Sequence, residues 1–176
     1  MINCKEDDPI LWAQGRPLGS PQRTYCLCKA DSEEAIRVAN RNPENGKLLT
    51  VFLRPGLVIG ERDTSSLGKM IAVARQGKSR LQMGNGQNPY DFIYAGNLAD
   101  AHLLAAWALL EASGKEQTHD ISTRGDGQVF NVTNDDPWLF WGFQRAVSAA
   151  IGKPVRKRDI IVIPLWIGLA IGFISD

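Results

Sequence analysis

The chain has 176 residues, a length that supports one domain with a hydrophobic core. Its apolar fraction of 44% and charged fraction of 22% are those of a folded globular protein, and the net charge of +1 gives no sign of a nucleic acid partner. Three cysteines, with no Cys-x-x-Cys or paired-histidine spacing, predict reduced thiols and no metal site.

Residues 1–23 come first in chain order. They have no hydrophobic periodicity and no apolar core of the kind that a signal peptide needs, so they are predicted to be an irregular segment. A helix is predicted from Thr24 to Asn40, with an ion pair between Glu33 and Arg37 on its surface.

Tyr25 and Lys29 lie four residues apart in this helix, which places both on one face. A lysine charge beside a phenol lowers the pKa of that phenol, so the pair can exchange a proton with an alcohol at neutral pH. The spacing alone is weak evidence, and a surface tyrosine beside a solvated lysine is the ordinary alternative.

The run from Leu48 to Leu53 is continuously apolar except for Thr50 and predicts a buried parallel strand. Pro55 ends it, and Gly56 allows the backbone to approach a ligand closely. Ligands bind at the carboxyl edge of such sheets. If this strand belongs to a larger sheet, its missing neighbours leave an apolar edge unpaired.

The next segment predicts short elements separated by turns. A helix is expected from Ser66 to Gln76 with Gly77 as its stop, followed by a strand from Arg80 to Met83. The Gly-x-Gly within Gly84–Pro89 has no helix after it, so it is interpreted as a turn and not as a phosphate loop. A strand is predicted from Asp91 to Tyr94.

A helix is predicted from Asn97 to about Glu111, with Asp100 in a capping-box arrangement. It is apolar nearly all round, so we expect it to be buried. His102 within it and His119 beyond it are interpreted as structural or solvent-facing.

The carboxyl-terminal third begins with a strand at Val129–Val132. Asp136 and Pro137 then predict the start of a helix whose aromatic residues pack in the core or, second, line a hydrophobic substrate wall: Trp138, Phe140, Trp141 and Phe143. The basic residues of Lys153–Arg158 are interpreted as a solvated connection.

The last apolar stretch, Ile160 to Ile174, is free of charge but shorter than the ~20 residues that span a bilayer. It predicts a strand at Ile160–Ile163 and then a helix from Pro164 that is cut off or lies on a membrane surface, with a buried helix as the alternative. The expected domains are therefore 1–23, 24–163 and 164–176.

Four motifs then occur in a familiar order: Tyr-x-x-x-Lys-Ala, Leu-Arg-Pro-Gly, Asp-Phe-Ile-Tyr-Ala-Gly-Asn-Leu-Ala-Asp-Ala-His, and Phe-Asn-Val-Thr-Asn-Asp-Asp-Pro-Trp-Leu-Phe-Trp. Together they resemble the carboxyl-terminal half of the 3β-hydroxysteroid dehydrogenase/isomerase family, within the extended short-chain dehydrogenases. The resemblance implies NAD(P)-dependent oxidation of a sterol 3β-hydroxyl with loss of a 4α-carboxylate.

The resemblance also implies roles for residues. Tyr25 matches the catalytic acid/base, and Lys29 matches the lysine that holds the nicotinamide ribose and lowers the pKa of the tyrosine. By the same resemblance, the backbone that would lie beside the nicotinamide carboxamide is that of Pro55, Gly56, Leu57 and Val58. The substrate wall corresponds to Asp91 through Asp100, with Asp91, Tyr94 and Asn97 as its named members.

The implied fold is α/β: the carboxyl-terminal portion of an NAD(P)-binding, Rossmann-like short-chain dehydrogenase that lacks the amino-terminal βαβ half. The 176 residues contain no Gly-x-x-Gly-x-x-Gly turn to hold a pyrophosphate. Ser20 and Thr24 lie too close to Tyr25 to replace the family's catalytic Ser or Thr. We therefore expect little NAD(P) binding and no turnover from this chain alone.

The expected partners are a sterol-like small molecule, NAD or NADP, a second protein chain in a homo- or heterodimer, and a membrane surface. The family's location implies association with the endoplasmic reticulum membrane, with the cytoplasm as the alternative. Two other functions remain open: a non-catalytic sterol-binding or dimerising remnant, and an enzyme like the nucleotide-sugar epimerases. The cluster Trp138-Leu139-Phe140-Trp141 favours an apolar substrate over a sugar.

Overall fold

A computed structural model describes residues 5–6, 21–115 and 124–167. Within these ranges lie the helices α1 (Pro21–Ala39), α2 (Leu67–Arg75), α3 (Ala95–Ala112) and α4 (Phe140–Ala150), and residues 165–167 are also helical. Eight short strands form there as well: β1 (Phe52–Pro55), β2 (Leu57–Ile59), β3 (Leu81–Met83), β4 (Pro89–Tyr90), β5 (Phe92–Tyr94), β6 (Val129–Val132), β7 (Trp138–Leu139) and β8 (Ile161–Ile163).

The strands associate in pairs. β2 pairs with β5 and β3 with β8, both in parallel, while β4 pairs antiparallel with β7 and β1 pairs with β6. The chain divides into two compact units. The first unit comprises the residues up to Arg54 and Ala99–Val132, and the second comprises Pro55–Leu98 and the residues from Thr133.

In the first unit, α1 begins at Pro21, three residues before the predicted start. A proline fits there because the first turn of a helix does not use its backbone N–H groups. The predicted pair of Glu33 with Arg37 is wrong. Arg37 pairs instead with Glu34 on the exposed surface, and Glu33 pairs with Arg54, which lies beyond the helix.

The predicted strand from Leu48 is also shifted. Leu48 is 50% exposed, and β1 starts only at Phe52 and includes Pro55 as its last residue. The buried Thr50 donates its backbone N–H to the side-chain oxygen of Asn40 at 2.8 Å, so that N–H does not bond to a neighbouring strand. Among the described residues, β6 is the strand that pairs with β1.

Helix α3 departs most from its prediction. It begins at Ala95, so Asn97 lies inside the helix and does not cap it. The expectation that α3 is buried is wrong, because none of its residues is buried and four of its large apolar side chains are 70–76% exposed: Leu103, Leu104, Trp107 and Leu110. Three of them, Leu103, Trp107 and Leu110, follow the i, i+4, i+7 spacing of one helix face. We call these four residues the α3 stripe.

The second unit holds a small core in which helices α2 and α4 pack together. Phe92 and Ile93 of β5 are almost fully buried, and the Phe92 ring stacks on Phe143 with ring centroids 3.9 Å apart. Gln144 is buried beside them and donates to both the Met70 carbonyl and the Ser79 hydroxyl, each at 3.0 Å. Of the aromatic residues in this region, the half-buried Phe143 contacts the core through this stacking, whereas Trp138 is 40% exposed.

Helix α2 matches its predicted extent, and Gly77 follows it with φ of 70°, the left-handed conformation expected of a helix stop. Its amino end is held by Asp63, which accepts the backbone N–H groups of Ser66 and Leu67 at 3.0 and 2.7 Å. These two donors lower the pKa of Asp63 to about 2.

The helix predicted to open at Asp136 and Pro137 begins later. Trp138 and Leu139 instead form β7, which pairs with Pro89 and Tyr90 of β4. Asp136 accepts the indole N–H of Trp138 at 2.9 Å and does not cap the helix, which therefore begins at Phe140. No helix within the described ranges combines the length and apolar character that crossing a bilayer requires.

Candidate active site

Helix α1 carries the predicted proton-exchange pair in the first unit. The two side chains share one face, as predicted: Lys29 Nζ lies 5.7 Å from the centroid of the Tyr25 ring. Tyr25 is 61% exposed, whereas its neighbour Cys26 is 5% exposed, so the helix buries one side and exposes the side that carries Tyr25. Neither the Tyr25 hydroxyl nor the Lys29 ammonium hydrogen-bonds to any residue in the described ranges, so both polar groups are available to a ligand.

Two ion pairs fix helix α1 within the first unit. Arg54 donates from Nε to Glu33 at 3.1 Å, and both side chains are less than one-fifth exposed. At the carboxyl end, Arg41 grips Asp126 with Nε at 2.7 Å and Nη2 at 3.1 Å. The second pair ties the end of α1 to the turn that precedes β6, and we call it the Arg41–Asp126 clasp.

The carboxylate of the clasp is almost fully buried. Asp126 is 1% exposed and also accepts the Asn40 amide at 3.0 Å. The pKa of Asp126 falls to about 2, first because Arg41 donates to it and then because Asn40 does. A buried carboxylate with this set of donors is charged at neutral pH, so the clasp holds the helix that carries Tyr25 and Lys29.

The segment Pro55–Val58, predicted to lie beside the nicotinamide, is the link between β1 and β2. Leu57 donates its backbone N–H to the Asp91 carbonyl at 2.9 Å, and β2 and β5 run in register from that point. A Cβ added to Gly56 would lie 2.7 Å from the same carbonyl. The close backbone approach expected at Gly56 is therefore made by the Asp91 main chain.

This contact predicts the effect of Gly56→Ala. The new methyl group collides with a backbone oxygen that the β2–β5 ladder holds in place, so we expect a loss of about 1–3 kcal/mol in the free energy of unfolding. Urea unfolding of the whole chain measures it. Gly142→Ala is the control, because its Cβ would have ordinary contacts and gains helix propensity. Equal stability of the two variants would contradict the prediction.

Asp91 carries an unusual carboxylate. Its Oδ1 atom is buried and has no hydrogen-bond partner in the described part of the chain. Burial raises the pKa of Asp91 above its ordinary range, and the nearby charge of Asp135 raises it further. A carboxyl group with an unpaired buried oxygen can still accept or donate a hydrogen bond to a ligand.

Tyr94 and Asn97 are joined by a residue that the sequence did not single out. Asn134 accepts the backbone N–H of Tyr94 at 3.3 Å and the side-chain amide of Asn97 at 2.9 Å. The Tyr94 hydroxyl donates to Glu61 at 3.0 Å, which raises the pKa of Tyr94. Asp91, Tyr94, Asn97 and the Pro55–Val58 link thus all belong to the second unit, while Tyr25 and Lys29 belong to the first.

The residues present fit one part of a nicotinamide cofactor. The Lys29 ammonium, with no ion pair among the described residues, can hold ribose hydroxyls, and the Tyr25 hydroxyl beside it can exchange a proton. The pyrophosphate part has no corresponding Gly-rich turn in the sequence. Tyr25 and Lys29 therefore fit the nicotinamide–ribose part of the cofactor, but the sequence contains no Gly-rich turn of the kind that binds its pyrophosphate.

Similarity to solved structures identifies the fold class of the chain. A UDP-N-acetylglucosamine 4-epimerase from Methanobrevibacter ruminantium is 22% identical with a TM-score of 0.55, and 88% of this chain covers 46% of that one. A dTDP-glucose 4,6-dehydratase from Bacillus anthracis, solved in complex with NAD, is 18% identical with a TM-score of 0.52, and 92% of this chain covers 43% of it. The fold is that of a Rossmann-like extended short-chain dehydrogenase.

The family follows from the sequence match. The 3-beta hydroxysteroid dehydrogenase/isomerase family matches residues 13–165, and the chain belongs to that family. A sterol-4-alpha-carboxylate 3-dehydrogenase, decarboxylating, from Candida albicans is 38% identical over 86% of this chain and 40% of its own length. The human protein of the same description is 34% identical over 81% of this chain and 34% of its own. The chain thus spans about two-fifths or less of these relatives.

Proposed function

We propose that this chain supplies the acid–base and nicotinamide-facing residues of a sterol 3β-hydroxyl dehydrogenase of sterol biosynthesis, which also releases a 4α-carboxylate. The observation that supports this most directly is the exposed Tyr25 hydroxyl beside the Lys29 ammonium, both without hydrogen bonds to described residues. The relatives in Candida albicans and human carry this activity in their descriptions. A location at the endoplasmic reticulum membrane is part of the proposal.

In this mechanism the Tyr25 oxygen accepts the proton of the sterol 3-hydroxyl. The Lys29 ammonium holds the ribose hydroxyls by its N–H groups. A bound nicotinamide, NAD or NADP, supplies the hydride acceptor. Within the second unit, the Pro55–Val58 backbone is assigned to the nicotinamide side, and Asp91, Tyr94 and Asn97 are assigned to the substrate side.

The loss of carbon dioxide follows from the product of that oxidation. A 3-ketone with a carboxylate on the neighbouring 4-carbon is a β-keto acid. When the bond between that carbon and the carboxylate breaks, its electron pair moves into the enolate, and a proton then restores the ketone. The residues of the chain need only orient the substrate for this step.

The α3 stripe supports a second part of the proposal, that the chain works with a dinucleotide-binding half. Four large apolar side chains on one helix, each at least 70% exposed, are unfavourable in water. The relatives have more than half of their length outside the matched region. A βαβ half with a Gly-rich turn would cover this surface and hold the pyrophosphate that the chain cannot cradle.

Reconstitution tests the proposal. The purified chain alone should show no sterol 4α-carboxylate oxidation with NAD or NADP, whereas a chimera that carries the amino-terminal half of the Candida albicans relative should form the ketone and release carbon dioxide. Turnover by the chain alone would overturn the need for that half. Absence of turnover by a folded chimera that binds NAD would overturn the catalytic assignment itself.

The α3 stripe makes a separate prediction about the isolated chain. We expect it to self-associate in size-exclusion chromatography with light scattering, and Leu103→Lys with Leu110→Lys to restore a monomer because the apolar surface is broken. The same charges at the exposed Ala72 and Ala146 are the control and should leave association unchanged. A wild-type monomer with a sharp thermal transition would contradict the prediction.

The second candidate function is a sterol-binding or dimerising remnant without catalysis. It is favoured by the same unpaired apolar surfaces, and it predicts sterol binding by the chain without cofactor. The epimerase-like alternative is supported only by similarity of fold, since the solved epimerase and dehydratase are 22% and 18% identical. The family match therefore favours the sterol reaction.

A further inference from the structure

A cationic cavity lies in the second unit, at the connection that follows α4, where the sequence predicted only a solvated link. It has a volume of about 600 Å³, and its charged lining consists of four basic side chains and one acidic one: Arg80, Lys153, Arg156, Arg158 and Asp159. The two stretches of sequence that supply the basic residues, 64–90 and 137–158, contain no aspartate or glutamate. Neither stretch therefore provides a carboxylate to neutralise the cavity.

Most of the positive charge in this cavity is not compensated. Arg156 is paired with Asp159, and its Nε lies 2.6 Å from the carboxylate. Lys153 donates its ammonium to a backbone carbonyl at the end of α2, which is neutral. Arg80 and Arg158 have neither an ion pair nor a hydrogen bond within the described ranges. Two guanidinium groups and one ammonium thus border the same space without a counter-charge among the described residues.

Buried residues anchor the backbone that carries these cations. Arg80 follows Ser79, which is 1% exposed and accepts the side-chain amide of Gln144 at 3.0 Å. Lys153 is tied to Ser148, also 1% exposed, which donates its hydroxyl to the Lys153 carbonyl and accepts the Lys153 backbone N–H at 2.9 Å. An anion would meet cations whose main chain is already ordered, which lowers the entropic cost of binding.

Arg80 and Arg158 lie at the same end of one strand pair. Strands β3 and β8 run parallel with Leu81 opposite Ile161, so the residues before them come together at the amino end of the pair. Arg80 immediately precedes β3, and Arg158 is three residues before β8. Substrates and cofactors of α/β sheets bind at the carboxyl ends of the strands. The cavity is at the opposite end of this pair, so we treat it as a separate site.

We propose that this cavity binds a soluble small molecule that carries a diphosphate group. A phosphate monoester has a charge of about −1.5 to −2 at neutral pH, so one phosphate would leave about one of the three cations uncompensated, whereas two linked phosphates match them. The guanidinium groups of Arg80 and Arg158 suit this ligand because paired N–H donors can bind two oxygens of one phosphate. The site is independent of the chemistry at Tyr25.

The size of the cavity agrees with a ligand larger than a free ion. Sites for small organic molecules commonly have volumes of about 300–1,000 Å³. A volume of about 600 Å³ therefore leaves room for an organic group beside the diphosphate.

Isothermal titration calorimetry of the whole chain with inorganic pyrophosphate tests the site. Pyrophosphate should bind about tenfold or more tightly than orthophosphate, because its second phosphate forms a further charge-assisted hydrogen bond. Arg80→Gln and Arg158→Gln should each weaken pyrophosphate binding by roughly 10- to 100-fold, the usual effect of losing such a bond. Both side chains are exposed, so the variants should fold, which circular dichroism checks. Equal affinity for the two anions would overturn the diphosphate assignment.

The matched control is the double variant Arg62→Gln with Lys69→Gln. Both residues are exposed, belong to the second unit and do not line the cavity. At physiological ionic strength distant surface charges are screened, so this variant should bind pyrophosphate within about twofold of wild type. A loss equal to that of Arg80→Gln with Arg158→Gln would show a general attraction of anions and would overturn the site.

Lipid vesicles distinguish a soluble diphosphate from the phosphate of a headgroup. Pyrophosphate should protect the wild-type chain from urea unfolding, and the protection should be absent in Arg80→Gln with Arg158→Gln. Co-sedimentation with phosphatidylcholine–phosphatidylserine vesicles that depends on the same two residues, while pyrophosphate neither binds nor protects, would overturn the proposal.

Discussion

Asp126→Ala is expected to destabilise the first unit by about 2–4 kcal/mol, because the substitution leaves the partly shielded Arg41 guanidinium without its counter-charge. Arg41 keeps only its contacts to the Lys115 and Ala112 carbonyls, and the Asn40 amide loses its acceptor. Urea unfolding of the whole chain, followed by circular dichroism, measures the loss. Hydrogen exchange should locate it in the last turn of α1 and the turn before β6.

The control for the clasp is an ion pair of similar chemistry in the same unit. Arg37 and Glu34 are 57% and 59% exposed, so Arg37→Ala should change stability by less than about 1 kcal/mol. A double-mutant cycle of Arg41→Ala and Asp126→Ala should show a loss smaller than the sum of the single losses, because the second substitution removes an already unpaired charge. Additive losses would show that the two side chains are not coupled.

The clasp also sets a pH window. Its carboxylate has a folded pKa of about 2, below the ordinary value of 3.8, so the stabilisation is complete above the ordinary value and is lost as the pH falls toward 2. By linkage this contribution is about 2 kcal/mol near neutral pH. As the pH falls through this range, wild type should lose the stabilisation that the clasp provides, whereas Asp126→Ala has none to lose. Acid unfolding of both proteins measures this difference.

The sequence patterns predicted correctly those helices and strands whose position depends on neighbouring residues alone. Helix α2 and its stop at Gly77 follow from a helical period and a residue that accepts positive φ. The shared face of Tyr25 and Lys29 follows from helix geometry alone. For β5, the prediction from Asp91 to Tyr94 differs from the structure by one residue. These features need no knowledge of distant parts of the chain.

Several of the failures have a different cause, since they depend on contacts between residues far apart in sequence. Glu33 had a suitable partner four residues away but pairs with Arg54, where both side chains are shielded from water. The Arg41–Asp126 clasp joins residues 85 positions apart, and no periodicity marks either one. The apolar pattern of helix α3 predicts that one helix face packs against other residues. It does not show whether those residues belong to this chain, and in the structure the face is exposed.

In the candidate site, too, residues related by local spacing were predicted and residues joined by distant contacts were missed. Tyr25 and Lys29 were found by spacing, whereas Asn134 was missed because its role is to join Tyr94 and Asn97 across 40 and 37 positions. Its location directly after β6 is the one available signal, since polar residues at strand ends often carry function. Glu61, at the end of β2, has the same type of location and was likewise missed.

In the chimera that carries a dinucleotide-binding half, Tyr25→Phe should lower kcat/KM for sterol oxidation by about 10²–10⁴-fold, the usual contribution of a positioned acid–base group. The substitution removes only the hydroxyl, which has no hydrogen bond to a described residue, so folding should be unaffected. Lys29→Met should lower the rate and also raise the KM for the dinucleotide, because the Lys29 ammonium lies beside Tyr25 and is proposed to hold the ribose of the dinucleotide. Initial rates of NADH formation measure both effects.

Tyr90→Phe is the matched control for this experiment. It removes a phenol from another partly exposed tyrosine, whose ring packs against Phe92 and Phe140 and has no proposed role in proton transfer. It should leave both kinetic constants within about twofold, a free-energy change well below that of losing an acid–base group. If Tyr25→Phe also stayed within that range while NAD bound normally, the proton would have to leave through another group, and Tyr25 would lose its assigned role. A selective loss at Tyr25 would instead show that the Tyr25 hydroxyl is required for the reaction.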